Sequence, residues 1–201
     1  MGFPAFKYTT PEEYLAMEKD AFDKHEYFSG EIYAMAGATE SHVRIARNLV
    51  IEIGSFLKGK TCEVFGTDYR VTTPLSDSYM YPDAMIVCGP TVKKENCFDT
   101  LTNPSVIIEI LSPSTSDRDK RYKFLYYLQI PSLKEYILVD SNRYNVTTFR
   151  KTENGLWDIF TTEDINASHT INTIQLQLPL KAIYYMVSLE EGNMKIPENL
   201  Q

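Results

Sequence analysis

The sequence predicts a single α/β domain, and three observations carry that reading. A stretch from Thr39 to Leu57 has apolar residues at helical spacing and is followed by several β-rich runs. One of those runs, "SVIIEILS", is apolar almost throughout, as befits a strand covered on both faces. No repeat, low-complexity tract or linker divides the 201 residues, a length suited to one core. The expected core spans about 8–150, with 151–201 as a C-terminal β-rich extension of the same domain.

The elements follow in order. Thr10-Pro11-Glu12-Glu13 has the pattern of an N-cap, a proline at the first helical position and a capping-box glutamate, so a helix is expected through about Asp20. "EYFSGEIYAMA" predicts two strands joined at a tight Ser29-Gly30 turn. From Thr39, the residues Val43, Ala46, Leu49, Val50, Ile53, Phe56 and Leu57 mark the long helix, and Gly59 is its stop. "TCEVFGTDYRVTT" and "YMYPDAMIV" read as strands with a loop between them, and "SVIIEILS" as a third.

A second helix is expected from Ser116, capped with Asp119, through "RDKRYKFLYYLQ" to Pro131. "EYILVD" is again a strand, and "YNVTTFRKTENGLWDIFTT" a hairpin turning at Asn154-Gly155. "TIQL" and "LKAIYYM" give weaker signals. The aromatics of "RYKFLYYL" and "KAIYYM" suit a nucleic-acid groove, core packing or a dimer surface equally.

Composition narrows the function classes. A hydrophobic fraction of 43% with 23% charged residues is that of an ordinary globular protein. The apolar runs are too short to span a bilayer, so no membrane partner is expected, and "MGFPAFKYTTPEEY" lacks a secretory layout. Cys62, Cys88 and Cys97 are odd in number and form no C-x-x-C pair. They argue against a disulfide framework or a zinc site and for a reducing cytoplasm, where the sequons at Asn145 and Asn166 are chance matches. A net charge of −7 counts against non-specific nucleic-acid binding, although the run from Arg118 to Lys123 offers a local basic face.

Two acidic residues stand out. Asp83 follows Pro82 at the head of an apolar run, and Glu109 lies between Val106-Ile107-Ile108 and Ile110-Leu111. Alternation puts Asp83 with Met85 and Val87, and Glu109 with Ile107 and Leu111. If the two strands are neighbours, the carboxylates can converge on a hard divalent cation. Taken singly, each has a plainer reading, as a turn residue or an edge residue facing water. A glutamate buried in that company needs a partner. On the following helix Asp119 and Lys123 share a face, with Lys120 a turn earlier, which is also the pattern of a solvated ion pair.

The segments "GEIYAMAGATESH", "YPDAMIVCG", "TLTNPSVIIEILSPSTSDRDKRYKF" and "YYLQIPSLKEYILVD" resemble the Uma-two family, from about Tyr8 to Phe149. Those restriction-endonuclease-like proteins are numerous in cyanobacteria and belong to the PD-(D/E)XK nuclease superfamily. The resemblance implies a mixed central sheet flanked by helices, with added β-hairpins. It also implies a Mg²⁺-dependent (Mn²⁺ possible) phosphodiesterase acting on DNA.

By the same resemblance Asp83 and Glu109 hold the ion with the backbone carbonyl of Ile110. The superfamily lysine expected two residues after the glutamate is replaced by Leu111, so Lys123 takes its role, with Lys120 as fallback and Asp119 beside them. Glu31 is a candidate third carboxylate, with an exposed hairpin charge as the equal alternative, and His42 is a supporting residue or else a capping or surface one. A homodimer is expected, because cutting two strands takes two sites. The alternative is a catalytically inactive nuclease-fold protein that binds nucleic acid or a protein partner.

Overall fold

The computed structural model describes residues 8–35, 37–112 and 122–189. Its elements are laid out around one buried strand. Helix α1 (Pro11–Asp20) leads into the β1 (His25–Phe28) and β2 (Glu31–Ala34) hairpin, and α2 (Glu40–Leu57) follows. Next come β3 (Cys62–Phe65), β4 (Arg70–Thr72), β5 (Ser78–Met80), β6 (Ala84–Cys88), β7 (Thr100–Leu101) and β8 (Val106–Leu111). A short helix α3 (Phe124–Tyr127) precedes β9 (Glu135–Asp140), β10 (Val146–Lys151) and β11 (Trp157–Thr162). The β12 (Ser168–Ile171) and β13 (Leu176–Pro179) pair and helix α4 (Leu180–Ile183) complete the described chain.

Local chemistry sets the first elements as the sequence predicts. Thr10 and Glu13 form a reciprocal capping box at α1, and the Thr39 hydroxyl caps α2. Both Ser29 and Gly30 have positive φ, +47° and +104°, which lets a two-residue turn match the twist of β1 and β2.

Two sheets pack face to face. The larger is mixed, in the order β11-β10-β9-β8-β6-β3, with β8 parallel to β9 and antiparallel to β6. The smaller runs β2-β1-β5-β4-β7. Strand alternation divides the core. Ala84, Ile86, Val106, Ile108 and Ile110 pack against Ile45, Leu49 and Ile53 of α2 and against Leu180 and Ile183 of α4. Each of these Val, Leu and Ile side chains withdrawn from water contributes about 1.5–3 kcal/mol. On the opposite face Met85, Val87, Ile107 and Leu111 meet Phe28, Val71 and Met80 of the smaller sheet and Tyr127 of α3. The far side of the smaller sheet stacks Tyr27 and Tyr79 on Tyr14 of α1.

Three differences from the sequence expectation have physical causes. "TCEVFGTDYRVTT" breaks at Gly66 into β3 and β4, which join different sheets. The two-residue strand β7 is held by non-local parallel pairing with β4 and has no local signature. The cysteines are not all reduced: Cys62 and Cys88 form a disulfide, because the β3–β6 register sets them directly opposite with Cα atoms 4.0 Å apart. Cys97 is a free thiol. Of the expected second helix, residues 113–121 lie outside the described chain, and with them its Ser116–Asp119 cap. No described helix is long and apolar enough to cross a membrane.

Candidate active site

The acidic pair lies in the seam between the two sheets. Ala84 pairs with Ile108, so Asp83, one residue earlier, stands across the ladder from Glu109, one residue later. Both are buried, at 8% and 2% exposure. Each carboxylate is held by specific donors, as burial of a charge demands. The Ile110 amide donates to Asp83 Oδ2 at 2.7 Å, which ties the Pro82-Asp83 segment to the β8 backbone. On the other oxygen, His42 Nε2 lies 2.8 Å from Asp83 Oδ1. The first turn of α2 carries that histidine, and its amide donates to the Thr39 cap.

Helix α3 supplies the partners of Glu109. Lys123 has helical backbone angles at the cap of α3, so Lys123 and Tyr127 project from one face of it. Lys123 Nζ lies 3.2 Å from Glu109 Oε1, and the Tyr127 hydroxyl donates to the same oxygen at 2.7 Å. Burial, and then the neighbouring Glu109 charge, push the Tyr127 phenol well above its ordinary value, so it remains a donor. Phe124 docks the helix by stacking on Tyr136 and packing on Phe149 and Trp157. Leu111, where the superfamily pattern has a lysine, is a packing residue in the same cluster as Tyr127 and Ile130.

A third carboxylate reaches this cluster. Glu26 of β1, 5% exposed, places Oε1 2.9 Å from Lys123 Nζ and accepts the Tyr81 amide at 3.1 Å. Glu31 is exposed on the outer strand β2, opposite Phe28, where it accepts from the Tyr33 hydroxyl. The hairpin register explains the difference, because Glu26 lies two residues deeper along the inner strand on the face shared with Phe28. That alternation within "HEYF" is the signal from which Glu26 is readable. Asp119 and Lys120 lie outside the described residues.

The cluster thus sets Glu109 and Glu26 about Lys123, with Asp83 across the ladder from Glu109 and His42 on Asp83. Among the described residues no group of three or more His, Cys, Asp or Glu side chains is arranged to hold a metal.

Two antiparallel strands presenting an acidic pair from a mixed sheet, with a helix-borne lysine against one carboxylate, give a restriction-endonuclease-like fold. Residues 11–181 match the Uma2 family model, described as "Putative restriction endonuclease", and the chain belongs to that family. Two relatives in Synechocystis sp. are similar. "Uncharacterized protein slr1290" is 36% identical over 152 residues, 76% of this chain and 79% of that one. "Uncharacterized protein sll1609" is 37% identical over 151 residues, 75% and 85% of the two chains. The crystal structure of "a putative nuclease belonging to DUF820" from Anabaena variabilis matches with a TM-score of 0.73. It does so at 22% identity over 88% of this chain and 97% of that one, a likeness of fold.

Proposed function

We propose that the protein is a divalent-metal-dependent nuclease that hydrolyses phosphodiester bonds in DNA. The observation that carries this reading is the buried Asp83–Glu109 pair, one carboxylate on each side of the β6–β8 ladder, with Lys123 against Glu109. The donor set suits Mg²⁺, which binds through one or two carboxylates and keeps open positions for water and phosphate rather than needing a full protein cage. Mn²⁺ is the natural substitute, since carboxylate and carbonyl oxygens suit it as well. When bound, the ion supplies an activated water and balances charge on the phosphate.

The chain's own residues do the rest. Asp83 and Glu109 hold the ion with the Ile110 carbonyl. His42 and the Ile110 amide fix the Asp83 carboxylate, each from one side. Lys123 offers its ammonium to the phosphoryl oxygens as negative charge accumulates there, a preorganised donor that costs little reorganisation. Tyr127 donates its hydroxyl to Glu109 and so fixes the orientation of that carboxylate. Two chains acting together cut both strands of a duplex, and a homodimer is part of this proposal.

A second reading has its own support. Both oxygens of Asp83 accept from protein donors and Lys123 neutralises Glu109, so the cluster is stable as pure structure, as in a non-cleaving protein that binds nucleic acid or a protein partner. Incubation of supercoiled plasmid, linear DNA and RNA with Mg²⁺ or Mn²⁺ separates the two. The nuclease reading predicts nicking or cleavage of DNA that EDTA and Asp83→Ala both abolish. Equal outcomes for wild type and Asp83→Ala would overturn it.

A further inference from the structure

Glu26 is the buried carboxylate of the cluster for which the ion leaves no role. Its side chain enters the seam from β1 and its Oε1 meets two groups at once. One is the Lys123 ammonium at 2.9 Å, the other the Tyr81 amide at 3.1 Å. Tyr81 stands two residues before Asp83, and its far end is held too, its hydroxyl donating to Glu18 Oε1 at 2.9 Å. Glu18 in turn accepts the His25 amide at 2.9 Å, so α1 and β1 grip the segment that presents Asp83 from both sides.

We infer that Glu26 is a positioning residue: a single oxygen holds Lys123 and the Tyr81 main chain together, and so fixes the lysine relative to Asp83. The inference rests on the nuclease reading of Asp83, Glu109 and Lys123. A lysine is a point charge on a flexible four-carbon stem, and its direction comes from what surrounds it. Glu109 alone would pull Lys123 onto β8. With Glu26 opposite, the ammonium lies between a carboxylate of β1 and one of β8, and the same Glu26 oxygen holds the Tyr81 amide two residues before Asp83. Glu26 acts through the lysine and not through the ion, because its Oε1 meets Lys123 and the Tyr81 amide while it is Asp83 and Glu109 that face each other across the β6–β8 ladder.

The test is a double-mutant cycle on Glu26→Gln and Lys123→Met, read in two ways. Glutamine keeps an acceptor for the Tyr81 amide and removes the charge. In single-turnover cleavage of DNA with Mg²⁺, Glu26→Gln is expected to slow the wild type on the order of tenfold. DNA affinity and calorimetric Mg²⁺ affinity should stay within about twofold, and the Lys123→Met background should lose no further rate. Glu26→Asp is expected to recover part of the rate.

Equal slowing in both backgrounds would overturn the inference, since Glu26 would then act independently of the lysine. A loss of Mg²⁺ affinity on the order of tenfold would also overturn it by making Glu26 an ion ligand. The second readout is urea unfolding in EDTA, where the folding equilibria should show a Glu26–Lys123 coupling on the order of tenfold, and a coupling near unity would sink the attachment itself. A wild type that cleaves nothing would defeat the nuclease reading alone, and the unfolding cycle would still decide whether Glu26 holds Lys123.

Discussion

Replacing Lys123 by methionine removes an ammonium that two buried carboxylates share, and its cost can be worked from the structure. Lys123 is 5% exposed, 2.9 Å from Glu26 Oε1 and 3.2 Å from Glu109 Oε1. Breaking a buried ion pair by deleting one partner costs about 3–5 kcal/mol, because the remaining charge is stranded. Two carboxylates would be stranded here. The Tyr127 hydroxyl still donates to Glu109 and the Tyr81 amide to Glu26, which places the expected loss near 3 kcal/mol, the lower end of that range.

For a chain of this length each kcal/mol moves Tm by about 2–4 °C, so Lys123→Met should melt roughly 6–12 °C lower. The assay is urea and thermal unfolding in EDTA at pH 7.5, followed by fluorescence of Trp157, the sole tryptophan. Adding Glu26→Gln to Lys123→Met should restore part of the stability by removing one stranded charge. A loss under about 1 kcal/mol would mean that Lys123 is not a buried partner of these carboxylates, because that is the cost at a solvated surface pair.

Two further outcomes follow from groups away from the site. His169 lies buried between the hydroxyls of Thr148 and Thr162, at 2.6 and 2.9 Å, and burial pushes it down from 6.5 to about 4. The unfolded chain therefore takes up this proton first as pH falls, so stability present above pH 6.5 is lost on the way to pH 4, up to ~3 kcal/mol. Urea unfolding at pH 7 and pH 4.5 should show the gap between wild type and His169→Gln narrowing at the lower pH, and a gap independent of pH would contradict this. The Cys62–Cys88 bond closes a sequence separation of 26 residues, so reduction should cost about 3.5 kcal/mol by loop entropy. Alkylation of the unfolded, unreduced chain should label Cys97 alone, and three labelled thiols would contradict the pairing.

What was legible in the sequence was mostly local. The Thr10–Glu13 box, the Ser29-Gly30 turn and the periodicity of α2 each fix structure within a few residues, and each formed as read. The apolar run around Glu109 marked β8 as central because only a strand covered on both faces tolerates it. That Glu109 needed a partner was likewise readable, and Lys123 and Tyr127 meet it.

Long-range pairing was not legible. The β7–β4 contact involves two residues, and the disulfide depends on the β3–β6 register, which no spacing announces. Glu26 was hidden for a related reason. A charge in a hairpin reads as exposed until the second sheet and α3 are known to close over that face, and Glu31, the more conspicuous acid, sits where the hairpin meets water.

Whether Asp83 and Glu109 share one divalent cation, as proposed, is decided by calorimetric titration. Mg²⁺ and Mn²⁺ are titrated into wild type, Asp83→Asn and Glu109→Gln, with folding checked by circular dichroism. A shared ion gives a single site per chain in the wild type and a loss of affinity of at least about tenfold in each variant. Binding that is absent from the wild type, or equally strong in all three proteins, would contradict it.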